Sequence, residues 1–81
     1  MSLRLRLKRQ VAAYCKINDI SHYTLSGRAG PNKRMLKRLM VDDGDVSTGV
    51  YEKMQQFFRN KAADPDALEQ IGKDLEQNHV A

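Results

Sequence analysis

Residues 21–40 read SHYTLSGRAGPNKRMLKRLM, and the rest of the chain is organised around them. Ser21 is a good N-cap, because its hydroxyl can accept a bond from an orphan N–H of the first helical turn. A helix over 22–28 turns Leu25, Ser26 and Ala29 inward. Leu25 anchors it, while Ser26 and Ala29 are small enough for a second helix to approach closely. Gly30 supplies the break, since glycine takes φ > 0 without steric penalty. Pro31 follows, and proline is favoured in the first turn of a helix. Leu36 and Leu39, three apart, form the inward edge of the second helix, with Met35 and Met40 beside them. The remaining positions are Asn32, Lys33, Arg34, Lys37 and Arg38, and four of these five are cationic. No acid falls between Arg28 and Val41, whereas an ordinary exposed helix mixes signs to gain i,i+4 pairs. Such a one-signed face is either a solvated surface or a docking face for a polyanion.

The spacing of Leu25, Ser26, Ala29, Gly30, Leu36 and Leu39 resembles the helix-turn-helix of the phage lambda repressor and Cro superfamily. It is also similar to small DNA-binding proteins of phages and mobile elements, in which an arginine-rich helix follows the turn. The resemblance covers residues 21–40 and extends more loosely to residue 58. It implies that the second helix enters the major groove of double-stranded DNA. Carried over residue by residue, the base-reading positions are Asn32, Lys33, Arg34 and Lys37. Arg34 and Lys33 suit guanine, and Asn32 suits adenine. His22, Tyr23, Arg28 and Arg38 would hold phosphates and fix the register. The chain departs from the family pattern at Ser26, where alanine is usual, and at Pro31, where a small aliphatic is usual. Gly27 also weakens the first helix by about 1 kcal/mol relative to alanine.

The 81 residues are enough for one domain with a thin core, and dimerisation is a common way to extend such a core. The formal net charge is +4, unevenly spread. Residues 1–41 hold ten Lys/Arg and one acid (Asp19), a net of +9; residues 42–81 hold four Lys/Arg and nine acids, a net of −5. The first half would attract a polyanion and the second repel one, which suggests an oriented docking surface. One cysteine, Cys15, leaves no internal disulfide and fits a small buried apolar residue in a reducing cytoplasm. No stretch approaches 18 consecutive apolar residues, so no membrane span or membrane partner is expected. The start, MSLRLRLKRQ, lacks the continuous apolar core of a secretory signal. It reads better as the first helix of the domain than as a transit peptide.

In that first segment, Leu3, Leu5 and Leu7 alternate with cations as a strand would. Leu3, Leu7, Val11, Tyr14 and Ile17 also fit a helical stripe, and the longer pattern decides for a helix over 5–16. Residues 2–4 form either its first turn or a basic arm able to reach a groove or a phosphate. Asn18 and Asp19 end this helix, and Ile20 could be the hydrophobic staple of the next. After Met40, VDDGDVS is a loop. Asp42, Asp43 and Asp45 offer oxygen ligands, but the alternation and distal Glu of a calcium loop are missing, so no metal is expected. Ser47 caps a helix over 48–60, whose face of Val50, Met54, Phe57 and Phe58 reads as core rather than as a base-stacking platform. Residues 60–63 form a polar hinge. Asp64 as N-cap and Pro65 at N1 open a last helix, with Asp66 and Glu69 near its positive end. Its stripe of Leu68, Ile71 and Leu75, interrupted by Gly72, is too sparse to stand alone in water. It packs either on its own bundle or across to a second copy, and residues 77–81 are expected to fray.

Two separated histidines, His22 and His79, and a single cysteine make neither a zinc set nor a catalytic constellation, and the glycines form no phosphate cradle. No enzymatic activity, cofactor or small-molecule ligand is expected. The expectation is an all-α compact bundle of about five helices containing a helix-turn-helix: residues 1–60 form the DNA-binding bundle and 61–81 a C-terminal packing or dimerisation element. By family analogy it is a cytoplasmic, nucleoid-associated regulator of transcription that binds DNA sequence-specifically as a homodimer, most often a repressor. Leu68, Ile71 and Leu75 are the candidate dimer residues. Two rivals stand beside it. One is a protein-interaction module, an antitoxin or a phage inhibitor of a host factor, using the acidic half. The other is an architectural or recombination accessory protein that bends DNA. RNA binding is disfavoured, because exposed aromatics to stack splayed bases are missing.

Overall fold

The helix around which the others gather is the first one. In the computed structural model, which describes residues 3–29, 35–41, 44 and 46–79, the order is α1 (Leu3–Asn18), α2 (His22–Ala29), α3 (Met35–Met40), α4 (Thr48–Asn60) and α5 (Pro65–His79). There is no strand among the described residues. α1 packs against each of the other four helices, most extensively against α5. It supplies Leu7, Val11, Ala13, Tyr14 and Cys15 to a single core, which Leu25, Leu36, Leu39, Met54, Phe58 and Leu68 complete. The expected stripe on α1 holds in its middle and fails at its ends. Leu3 is 41 % exposed and Ile17 is 60 % exposed. Both are in phase with the buried face but stay exposed.

Two features that the apolar pattern conceals, one polar and one steric, fix how the helices meet. Gln10 is fully buried and pairs reciprocally with buried Gln55 of α4. Gln10 Nε2 donates to Gln55 Oε1 at 3.1 Å, and Gln55 Nε2 donates to Gln10 Oε1 at 2.6 Å. Gln10 Nε2 also donates to the carbonyl of Pro65 at 3.0 Å, so one amide ties α1 to α4 and to the start of α5. Satisfied on these bonds, it avoids the cost of a buried polar group left without partners. The second feature is Gly72 of α5, which is buried against α1. A Cβ built on it would lie 2.5 Å from the carbonyl carbon and 2.7 Å from the Cα of Arg9, with the Arg9 carbonyl oxygen closer still. The glycine that interrupts the apolar stripe of α5 is the point of closest approach of the two helices.

The helix ends follow local rules, with two departures. Ser47 is in extended conformation and its Oγ accepts from Val50 N–H at 3.2 Å, the expected cap of α4. Asp64 Oδ1 accepts from Asp66 N–H at 3.1 Å at the start of α5. α1 and α4 both close by the Schellman pattern. In α1, Ile20 N–H donates to Cys15 O and Asp19 N–H to Lys16 O; in α4, Ala63 N–H donates to Phe58 O and Ala62 N–H to Arg59 O. The left-handed residue these motifs need is Asp19 (φ 53°) in one and Ala62 (φ 57°) in the other, with no glycine at either place. α5 continues to His79, and its Glu76 is held to Arg9 of α1.

Tyr14, Phe57 and Phe58 form an aromatic cluster between α1 and α4. Tyr14 lies 5.7 Å from Phe57, edge to face, and 5.4 Å from Phe58. Phe58 is fully buried, so this pair belongs to the core. Cys15 is buried and free, and burial pushes its thiol up to about 11.

Candidate nucleic-acid interface

α2 and α3 pack on each other and on α1. The turn into α2 is set by the left-handed Asp19, followed by Ser21, whose Oγ accepts from Thr24 N–H at 3.1 Å. Leu25 and Ser26 are fully buried and Ala29 is packed against the core. On α3, Leu36 and Leu39 face inward, which leaves Lys37 and Arg38 exposed. The chain then folds back over the end of α3: Val41 N–H donates to Lys37 O at 2.8 Å and Gly44 N–H to Arg38 O at 2.9 Å.

Ser26 does more than keep its place small. Its Oγ, fully buried, accepts from Leu36 N–H at 3.0 Å. The first N–H groups of a helix have no partner within it, and here one is satisfied from the facing helix. This serine thereby fastens the start of α3 to the middle of α2. The only sign in the sequence is that a hydroxyl sits at an otherwise apolar inward position.

The expected site residues divide as follows. Lys37 and Arg38 lie exposed on the outer side of α3, and Arg28 is exposed in the last turn of α2. Tyr23 is exposed and His22 half-buried in the first turn of α2, most of the length of that helix away from Arg28. Asn32, Lys33 and Arg34, with Gly30 and Pro31, lie outside the described residues, as do Asp42, Asp43 and Asp45. Of the candidate dimer residues, Leu68 is buried within its own chain, Leu75 is half-buried and Ile71 is 37 % exposed. α5 thus packs on its own bundle and keeps part of its apolar stripe outside.

Two other cations of the basic half, Arg6 and Arg9, behave differently. Arg6 Nη2 donates to Asp66 Oδ1 at 2.6 Å and Nη1 to Glu69 Oε1 at 2.9 Å. The bond to Asp66 is the main reason that the guanidinium of Arg6 holds its proton more tightly than usual, with burial opposing it. Arg9 Nε lies 3.3 Å from both oxygens of Glu76. The chain has a basic half and an acidic half; the fold brings α1 and α5 together, so parts of the two halves meet. No arm leaves the bundle from Leu3 onward, since α1 begins there.

Comparison of the chain with protein-family models, with curated proteins and with solved structures found no match. Among the described residues, no helix is long and apolar enough to cross a membrane.

Proposed function

We propose that this chain is a sequence-specific double-stranded DNA-binding regulator of transcription that represses as a homodimer, with α3 entering the major groove. One observation carries the reading. Lys37 and Arg38 are exposed on a short helix whose other side is anchored by buried Leu36 and Leu39 and fastened by Ser26. Cations on a rigidly seated helix can be presented to base edges with little ordering cost. Asn32, Lys33 and Arg34 precede them in the sequence and are assigned to base reading with them, while Arg28, His22 and Tyr23 on α2 are assigned to phosphates. The partly exposed Ile71 and Leu75, four apart on α5, supply apolar surface for the second copy. The protein-interaction reading is weakened, because Asp66, Glu69 and Glu76 of the acidic half are engaged by α1.

The test is selection from a random duplex library at about 150 mM salt, where nonspecific phosphate binding is suppressed. Enrichment of a palindrome with half-sites about one helical turn apart is expected. The double substitution Arg34→Ala, Lys37→Ala should abolish that binding while circular dichroism remains helical. Unchanged affinity in the double variant, or no enriched sequence, would overturn the proposal.

A further inference from the structure

Arg6 and Arg9 of α1 meet acids of α5 along the seam between the two helices. Arg6 is gripped by two carboxylates and Arg9 by one. Counting only these side chains, Arg6 with Asp66 and Glu69 carries −1, and Arg9 with Glu76 carries zero. These five side chains, +2 on α1 alone, thus sum to −1 once α5 is folded onto them.

These ion pairs are poor devices for stability. Asp66 has 81 % of its side chain exposed and Glu76 has 50 %, and pairs so open to water are screened. The Arg6–Glu69 pair is more buried, but Arg6 Nε and Glu69 Oε2 find no hydrogen-bond partner among the described residues. A buried pair with unmet atoms gains little over the cost of desolvating it. The seam itself is set by the close approach at Gly72 and by the Gln10 amide. What the acids do change is the field: a phosphate approaching Arg6 meets the 81 % exposed Asp66 side chain beside it, with Glu69 bound behind.

We infer that α5 is a built-in competitor for nucleic-acid phosphate, which silences Arg6 and Arg9 of α1 and keeps that face of the bundle off DNA. This rests on the DNA-binding reading above. Its consequence is specificity. Nonspecific affinity scales with the number of phosphates neutralised, so masking two arginines lowers binding to random DNA and leaves base reading on α3 untouched.

The experiment measures binding to a fluorescein-labelled random-sequence duplex of about 24 base pairs, long enough for about two helical turns, as a function of salt. It compares the wild-type chain, Asp66→Asn with Glu76→Gln, and the same pair with Glu69→Gln added. Each freed arginine that reaches a phosphate should steepen the slope of log affinity against log salt by about 0.9, or about 3-fold in affinity for each 4-fold change in salt. The double variant frees Arg9 and should gain about one such step, and the triple variant about two. Arg6→Gln with Arg9→Gln should leave the wild-type slope unchanged and cancel the gain in the triple variant. If the triple variant fails to fold, the double variant decides, since its two acids are the exposed ones. Equal slopes in the wild-type and double variants, or loss of affinity when Arg6 and Arg9 are removed from the wild-type chain, would overturn the inference. Absence of wild-type binding at low salt would instead sink the DNA-binding reading itself.

Discussion

Gly72→Ala is the sharpest test of how the bundle is closed. The new methyl would meet the backbone of Arg9 at 2.5–2.7 Å, where ordinary contact is 3.4–4 Å. Backbone cannot rotate out of the way as a flexible side chain would, so α1 and α5 must separate by roughly an ångström at their closest point, and overpacking of this kind costs about 1–3 kcal/mol. The rigid obstacle puts the cost at the upper end, about 3 kcal/mol. Against it stands the gain in helix propensity of alanine over glycine, about 1 kcal/mol. The net is a loss of about 2 kcal/mol, which for a domain of this size lowers Tm by about 8–16 °C. Thermal unfolding followed by circular dichroism would read it. Gly49, near the start of α4, is the internal control, because a Cβ there meets nothing within 4 Å. Gly49→Ala should be neutral or raise Tm by a few degrees, at up to about 0.5 kcal/mol. If Gly72→Ala also leaves Tm unchanged or raises it, the close approach of α1 and α5 is wrong.

Three further outcomes follow from local geometry. Ser26→Ala leaves the buried Leu36 N–H without its acceptor, which should cost about 1–3 kcal/mol in urea unfolding, whereas a merely small position would accept alanine freely. Ala62→Gly should stabilise the chain by about 1 kcal/mol, because Ala62 sits at φ 57°, where a Cβ is penalised; a loss of stability would contradict that conformation. Cys15 keeps its proton up to about 11 in the folded chain, above its ordinary value near 9. Its contribution is therefore full below pH 9 and is lost as the pH rises toward 11, by about 2–3 kcal/mol at most. The difference in urea stability between the wild-type chain and Cys15→Ala should shrink over that window; a constant difference would mean that the thiol is not buried.

Much of the helical layout was legible in the sequence. Local rules place α4 at Thr48–Asn60 under its Ser47 cap and open α5 at Pro65 after Asp64, and in both cases a polar cap precedes an apolar period. Leu25, Ser26, Leu36 and Leu39 were identified as inward because the spacing alone demands it. What escaped the reading depends on residues far apart in the chain. Gln10 looks like a surface residue until Gln55 is known to face it. Gly72 looks like a flaw in a helix until Arg9 is known to lie against it. Arg6 and Arg9 count as free charge until Asp66, Glu69 and Glu76 are folded onto them. Of the candidate site, the outward placement of Lys37 and Arg38 was legible from the Leu36–Leu39 edge; the hydroxyl bond of Ser26 was not, because a small residue and an acceptor call for the same letter.

The broadest contact in the molecule joins the first helix of the chain to the last. A ribosome adding about 5–20 residues per second needs several seconds to pass from α1 to the middle of α5. Through that interval the seam around Arg9 waits for Gly72. The nascent chain thus exposes basic α1 before the acidic partner exists, so an unfinished copy has more reason to cling to polyanions than a finished one.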